Sequence, residues 1–211
     1  VATLLLLSVT RNAFLVEKML RQGEWKGFSL TENLGVDVRG KILGIVGMGR
    51  IGKAFAKRAH EAFGMKVLYY NRSPVKGLTF EASVRFDLDA LLEESDVISL
   101  HLSSDEGNKN FISKSKMKKI RASSFLINTS RGDVIDQNAL IDLLEKKKIS
   151  GAGLDVFVNE PHVPYRLRHL SNVTLYPHIG SATFETRKKM GMLAVENLIA
   201  FFNEKQAINP L

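Results

Sequence analysis

The run Lys41-Ile42-Leu43-Gly44-Ile45-Val46-Gly47-Met48-Gly49-Arg50-Ile51-Gly52 constrains the fold of this chain more than any other stretch. Ile42, Leu43, Ile45 and Val46 are apolar without alternation, which predicts a short strand buried on both faces, and Gly44 leaves room for a close neighbour. The strand runs into a Gly-x-Gly-x-x-Gly turn. Gly47 can take the tight strand-to-helix turn, Gly49 lets backbone amides approach an anion with no Cβ in the way, and Gly52 lets the next helix pack on the sheet. The spacing of Ile51, Phe55, Ala59 and Ala62 predicts that helix, with its N-terminus facing the anion. Strand, turn and helix in this order favour a dinucleotide pyrophosphate site over an ordinary glycine-rich turn. Gly47, Met48, Gly49, Arg50, Ile51 and Gly52 are therefore expected to hold a dinucleotide.

The rest of the chain repeats the alternation. Residues 1–23 read as one helix ended by glycine, with Leu4, Leu7, Phe14 and Leu15 among its apolar positions. Residues 24–39 show no sustained period and carry Trp25, Phe28 and Leu30, which either dock on a partner or domain or fold back on the chain's own core. Residues 65–70 form a second apolar strand ending in Asn71-Arg72-Ser73-Pro74. An acid at this place would hold the ribose 2′-hydroxyl of NAD; none is present. Arg72 can pair bidentately with the 2′-phosphate of NADP, and Asn71 and Ser73 can add neutral hydrogen bonds, so NADP(H) is expected over NAD(H).

A short helix over 88–94 leads to a strand over 97–102, followed by Ser103 and Ser104. Further strands are predicted over 124–128, 152–157 and 173–176, with a helix over 138–147 that turns Leu140, Ile141, Leu143 and Leu144 inward. From Ser181 the pattern is helical, with Met190, Leu193, Ala194, Leu198, Phe201 and Phe202 on one side, and Asn209-Pro210 closes the chain. Short apolar strands alternating with helices predict an α/β fold, a doubly wound parallel sheet of Rossmann type that binds ligand at the carboxyl ends of its strands.

Composition narrows the partners. With 45% hydrophobic residues in 211, the chain can bury a sizeable core. The net charge of +8 is spread over short groups such as Lys146, Lys147 and Lys148 without interleaved aromatics, which reads as a solvated face and not as a nucleic-acid surface. No apolar run approaches the roughly 20 residues of a membrane span, and residues 1–9 lack the basic segment and cleavage site of a signal peptide. The absence of cysteine suits a reducing compartment and a cytoplasmic location. Opening at Val1 inside a helical pattern reads as a fragment boundary.

Arg131, Glu160 and His178 each lie just after a predicted strand, so the parallel sheet would bring them to one rim. Histidine titrates nearest neutrality, a neighbouring carboxylate would orient it and stabilise its charged form, and arginine suits a substrate carboxylate. Asp155, at the end of Gly153-Leu154-Asp155-Val156, is placed to face the cofactor. His60 and His101 read as structural, and the separation of His162 from His169 is not that of a usual zinc pair, so no metal is expected.

Gly47-Met48-Gly49-Arg50-Ile51-Gly52, Asn128-Thr129-Ser130-Arg131-Gly132, Gly153-Leu154-Asp155-Val156, Glu160-Pro161 and Pro177-His178-Ile179-Gly180-Ser181, taken together, resemble the D-isomer-specific 2-hydroxyacid dehydrogenases, and within them the glyoxylate and hydroxypyruvate reductases. The resemblance implies that Arg131, Glu160 and His178 are the catalytic arginine, glutamate and histidine. It also implies a cofactor-facing set that includes Leu102, Thr129, Asp155 and Gly180. The implied reaction is hydride transfer from NADPH to the carbonyl carbon of a short 2-oxo acid, with His178 as general acid, Glu160 keeping it protonated and Arg131 holding the carboxylate.

The resemblance implies an additional N-terminal substrate domain, which is expected to be missing from the residues given. The resemblance makes residues 1–30 an interdomain helix and the start of a homodimer arm, residues 31–180 the dinucleotide-binding domain, and residues 181–211 a helix returning toward the substrate domain. As given, the chain is expected to bind cofactor and, alone, to be inactive. The competing reading is a non-catalytic scaffold of the same fold that senses dinucleotide, as in the C-terminal binding protein corepressors; a short cofactor-binding protein without turnover is a further one.

Overall fold

Runs of Val, Ile and Leu without alternation form strands only where both faces of a sheet are covered, and this chain supplies covering helices between them. A computed structural model describes residues 1–103 and 105–209; Ser104, Pro210 and Leu211 lie outside the described residues. The elements follow as α1 (Ala2–Thr10), α2 (Ala13–Arg21), β1 (Ile42–Val46), α3 (Arg50–Phe63), β2 (Lys66–Tyr70), β3 (Ser83–Val84), α4 (Leu88–Glu94) and β4 (Val97–Leu100), then α5 (Lys114–Met117), β5 (Phe125–Asn128), α6 (Gln137–Glu145), β6 (Gly151–Leu154), α7 (Tyr165–Arg168), β7 (Val173–Leu175) and α8 (Phe184–Glu204). They fall into two compact units, Val1–Pro177 and His178–Leu211.

In the first unit the strands form one parallel sheet in the order β3-β2-β1-β4-β5-β6-β7. Alternate side chains feed two cores. Leu43, Ile45, Val67, Tyr69, Val97 and Ile127 join Leu5 and Leu6 of α1 and Phe55 and Ala59 of α3 on one face. Val46, Ile98, Leu100, Leu126 and Leu154 join Leu91 of α4, Met117 of α5 and Leu140 of α6 on the other. Each fully buried side chain of this size contributes about 2 kcal/mol, so both faces matter. The Rossmann-type doubly wound sheet expected from the sequence is the fold observed.

The N-terminal helix breaks in two. Thr10 donates its hydroxyl back to Leu6 O (2.7 Å), Asn12 takes φ 52°, and its side-chain amide donates to Leu34 O (3.1 Å), so the helical period continues in sequence across a real corner. Helix α1 is built into the sheet's cover through Leu5, Leu6 and Val9, whereas Leu4, Leu7, Phe14 and Leu15 face outward. A Cβ on Gly153 of β6 would lie 2.9 Å from Leu5 Cβ, a spacing that only glycine accommodates without a shift. Trp25, Phe28 and Leu30 are exposed, Phe28 at 87%, so residues 24–39 do not fold these rings into the chain's own core.

In α3, Gly52, Phe55, Ala56 and Ala59 are buried; Ile51 at 68% and Ala62 are exposed, contrary to the expected apolar stripe. Ile51 sits in the first turn of α3, with its side chain exposed. Several strands end earlier than expected: β4 at Leu100, β6 at Leu154 and β7 at Leu175. The residues that follow leave the sheet as loops at the carboxyl ends of the strands, with Asp155, Val156 and Phe157 still buried after β6. Leu143 is half-buried against the core edge, and the two-residue β3 gives no apolar run that could announce it. Among the described residues no helix is long and apolar enough to cross a membrane. In the second unit α8 is capped by Thr183, whose hydroxyl oxygen accepts from Thr186 N (3.2 Å), and ends at Lys205 in the left-handed region.

Candidate functional site

The chain leaves β1 toward β2 and β3, then crosses back to β4 on the other side, so the loops after β1 and β4 part and open a crevice between them. A cleft of about 390 Å³ lies there, lined by Gly47, Gly49, Tyr70, Asn71, Arg72 and His101 and by Leu102, Ser103, Asp105, Gly107, Asn108 and Phe111. Gly47 N donates to Tyr70 O (3.0 Å) and His101 N to Val46 O (2.8 Å), which fixes both walls to the strands. Gly47 adopts φ 95°, and a Cβ there would sit 2.5 Å from His101 O, so both the turn and the space demand glycine.

Gly52 meets the Gly47 carbonyl oxygen closely enough that any Cβ would displace it. Gly49 has no atom within 4 Å of its Cβ position and caps α3 with no side chain, leaving the first amides of a 14-residue helix for an anion. These features fit the pyrophosphate of a dinucleotide. A second sign lies next along the rim: Thr129 Oγ1, at the end of β5, is buried and has no hydrogen-bond partner. Nicotinamide and ribose offer the donors and acceptors that such a hydroxyl lacks.

After β2, Asn71 lines the cleft and also binds the backbone beside it. Its Oδ1 accepts from Met48 N (3.3 Å) and its Nδ2 donates to Ser73 O (3.0 Å), bracing the glycine turn against the Arg72 loop. Arg72 lines the cleft. The acid that lines it, Asp105, already accepts from Ser103 Oγ (2.8 Å) and Asn108 Nδ2 (2.9 Å). His101 is held neutral, its pKa lowered to about 4 by burial; its Nε2 lies 2.9 Å from Ser99 Oγ and its ring 5.8 Å from that of Phe55.

Farther along the rim two turns are locked together. Gly132 packs so closely on the Phe157 carbonyl and Val158 N that there is no room for a Cβ, and this contact joins the turn carrying Arg131 to the turn carrying Glu160. Glu160 Oε1 accepts from Phe157 N (2.9 Å), and Val158 N donates to Gln137 Oε1 (3.1 Å). Asp155 is buried, and its backbone N donates to Asn128 O (3.0 Å). An arginine and a carboxylate on adjoining turns at a ligand rim can bind a carboxylate and hold a cationic acid.

Of the residues singled out by sequence, Gly47, Gly49, Asn71, Arg72 and Leu102 meet in the cleft. Met48 is buried in the core, Gly52 packs on the Gly47 carbonyl, and Arg50 and Ile51 are exposed on the first turn of α3. Ser73 takes part through its carbonyl oxygen. Thr129, Arg131, Asp155 and Glu160 follow β5 and β6. His178 and Gly180 belong to the second unit, where His178 takes φ 53°, a left-handed conformation uncommon for a residue with a Cβ and concentrated at functional positions. Sequence reasoning missed Tyr70, Asp105, Asn108 and Phe111, which line the cleft; aromatic residues beside a short polar loop were the available signal. Among the described residues no three His, Asp or Glu side chains group as a metal site.

Residues 3–180 match the profile of the family described as D-isomer specific 2-hydroxyacid dehydrogenase, NAD binding domain. The glyoxylate reductase of Thermococcus litoralis is 46% identical over 93% of this chain and 61% of its own length. Glyoxylate/hydroxypyruvate reductase B of an Enterobacter species is 44% identical over 98% of this chain and 65% of its own. Among solved structures, the NADPH-dependent glyoxylate/hydroxypyruvate reductase of Sinorhizobium meliloti, in complex with NADP and malonate, superposes with a TM-score of 0.91 at 37% identity, covering all of this chain and 65% of that one. The chain thus spans a little under two thirds of the relatives it matches. A parallel sheet with a glycine cleft at its switch point and a match across nearly all of the first unit lead to one conclusion: the chain belongs to the D-isomer specific 2-hydroxyacid dehydrogenase family and carries its NAD-binding domain.

Proposed function

We propose that this chain is the cofactor-binding part of a reductase that converts a short 2-oxo acid, glyoxylate or hydroxypyruvate, to the D-2-hydroxy acid, with NADPH preferred and NADH as the alternative. The observation that carries this reading is the close packing of Gly132 on Phe157 and Val158, which sets Arg131 and Glu160 on adjoining turns at the rim that bears the glycine cleft. The relatives named glyoxylate reductase and glyoxylate/hydroxypyruvate reductase support the substrate class.

Gly47, Gly49 and the first turn of α3 would hold the pyrophosphate, Arg72 the 2′-phosphate, and Thr129 and Asp155 the nicotinamide side. The nicotinamide, when bound, supplies a hydride. Arg131 pairs with the substrate carboxylate and draws electron density toward the carbonyl oxygen. His178 gives a proton to that oxygen as negative charge develops on it, and the Glu160 carboxylate favours the imidazolium that can do so. The NADPH preference rests on Arg72 in the cleft, on the lack of an acid after β2, and on the likeness to the Sinorhizobium enzyme recorded with NADP.

Exposed Phe14, Leu15, Leu20, Trp25 and Phe28 support assigning the segment through residue 30 to a homodimer arm, and residues 181–211 are assigned to the substrate-domain side. The test is the rate of NADPH and NADH oxidation by the full-length protein with glyoxylate, hydroxypyruvate and pyruvate. Turnover of the first two, faster with NADPH, is expected; cofactor binding without oxidation by any 2-oxo acid overturns the reading.

A further inference from the structure

Asn128 ends the run Phe125-Leu126-Ile127-Asn128 with a polar side chain that is fully buried. A buried amide is unfavourable by about 1–3 kcal/mol unless its donor and acceptor are both used. Here both are. Oδ1 accepts from Ser130 N (3.0 Å) and from Ser130 Oγ (2.8 Å), and Nδ2 donates to Arg131 O (2.8 Å). The Asn128 backbone is anchored separately, in register between Leu100 and Leu154, with its carbonyl accepting from Asp155 N. The side chain therefore transfers the position of the sheet to the backbone of residues 130 and 131. From the other side, Arg131 Nη1 donates to Ser130 O (2.7 Å), and Gly132 is pressed against Phe157.

We propose that Asn128 is a positioning residue: its amide fixes the Arg131 backbone, so that the guanidinium is aimed before any substrate arrives. This rests on the assignment of Arg131 to the substrate carboxylate. An apolar residue would fill the strand end equally well but would leave the 130–131 peptide to drift, and a displacement of about 1 Å at a binding group is enough to weaken the reaction by roughly 100-fold.

The test uses the full-length protein with Asn128→Asp, Ser130→Ala, Arg131→Ala and the double variant Asn128→Asp/Arg131→Ala. Asn128→Asp keeps the acceptor for Ser130 but replaces the donor to Arg131 O with a second oxygen. The readouts are KM for glyoxylate, kcat, the Kd of NADPH, and the Kd of oxamate, a 2-oxo-acid analogue that is not reduced. Asn128→Asp is expected to raise KM and the oxamate Kd by about tenfold or more, leaving NADPH binding within about twofold. In the Arg131→Ala background the same change should add less than about twofold, because its effect runs through Arg131.

A folded Asn128→Asp protein with unchanged oxamate binding overturns the proposal, as does a full additive loss in the Arg131→Ala background. If Arg131→Ala itself leaves oxamate binding intact, the carboxylate role of Arg131 fails and the proposal falls with it, a result distinct from the first two. Should Asn128→Asp not fold, Ser130→Ala decides: a rise of about threefold in the oxamate Kd supports the proposal, and no change overturns it.

Discussion

Gly132→Ala tests whether the Arg131 and Glu160 turns act as one unit. The added Cβ would fall more than about 1 Å inside van der Waals contact with the Phe157 carbonyl and Val158 N, all backbone atoms that no rotamer can move aside. The turns must separate by about that distance. Overpacking of this kind destabilises by about 1–3 kcal/mol, which for a unit of this size lowers Tm by roughly 2–12 °C. The effect on chemistry is larger: two groups displaced by about 1 Å should reduce kcat/KM by roughly 100-fold. NADPH affinity should fall much less than kcat/KM, because the pyrophosphate turn lies at β1 and only the nicotinamide side, at Thr129 and Asp155, adjoins the displaced turns. Thermal melts and steady-state rates of the full-length protein measure both. Gly49→Ala is the control with the opposite signature: its Cβ meets nothing within 4 Å, so Tm stays within about 1 °C while NADPH affinity drops about tenfold or more. A Gly132→Ala enzyme with native Tm and native kcat/KM would refute the argument.

His101 predicts an acid-sensitive fold. The unfolded chain takes up its proton near the ordinary value of 6.5, but the folded protein only near 4, so in that window the unfolded state holds more protons and stability rises with pH. The contribution is complete above pH 6.5 and falls by up to about 3 kcal/mol toward pH 4; urea midpoints should show a shallower pH slope in His101→Gln, and equal slopes would contradict the assignment. Arg72→Ala should weaken NADPH by about tenfold to 100-fold and leave NADH within about twofold, read from KM for each cofactor. His178→Asn, which tolerates the left-handed backbone, should lower kcat by about 100-fold or more with NADPH binding intact; loss of binding instead would remove His178 from the chemistry.

The strands were legible because burial on both faces forbids polar alternation, and Ile42 through Val46 or Phe125 through Ile127 admit little else. The corner at Asn12 was not, because the apolar period runs unbroken through a break made by one asparagine side chain and one left-handed residue. The positions of Arg131, Asp155 and Glu160 were legible for a topological reason: they follow β5 and β6, and in a parallel sheet the residues after such strands reach one rim. What stayed hidden were relations between distant backbones. The bond of Asn71 to Met48 N is such a relation, and nothing in the sequence says that Gly132 meets Phe157 or that Gln137 receives Val158 N.

The contact of Leu5 on Gly153 bears on how the molecule is made. These residues are 148 positions apart, so α1 leaves the ribosome long before the strand that seats it is synthesised. Until β5, β6 and β7 have paired, the Leu5 and Leu6 face of α1 has no permanent cover, and closing so long a loop makes its docking a late and comparatively slow step. During translation that face stays open to chaperones, and to its own neighbours, until those strands are made.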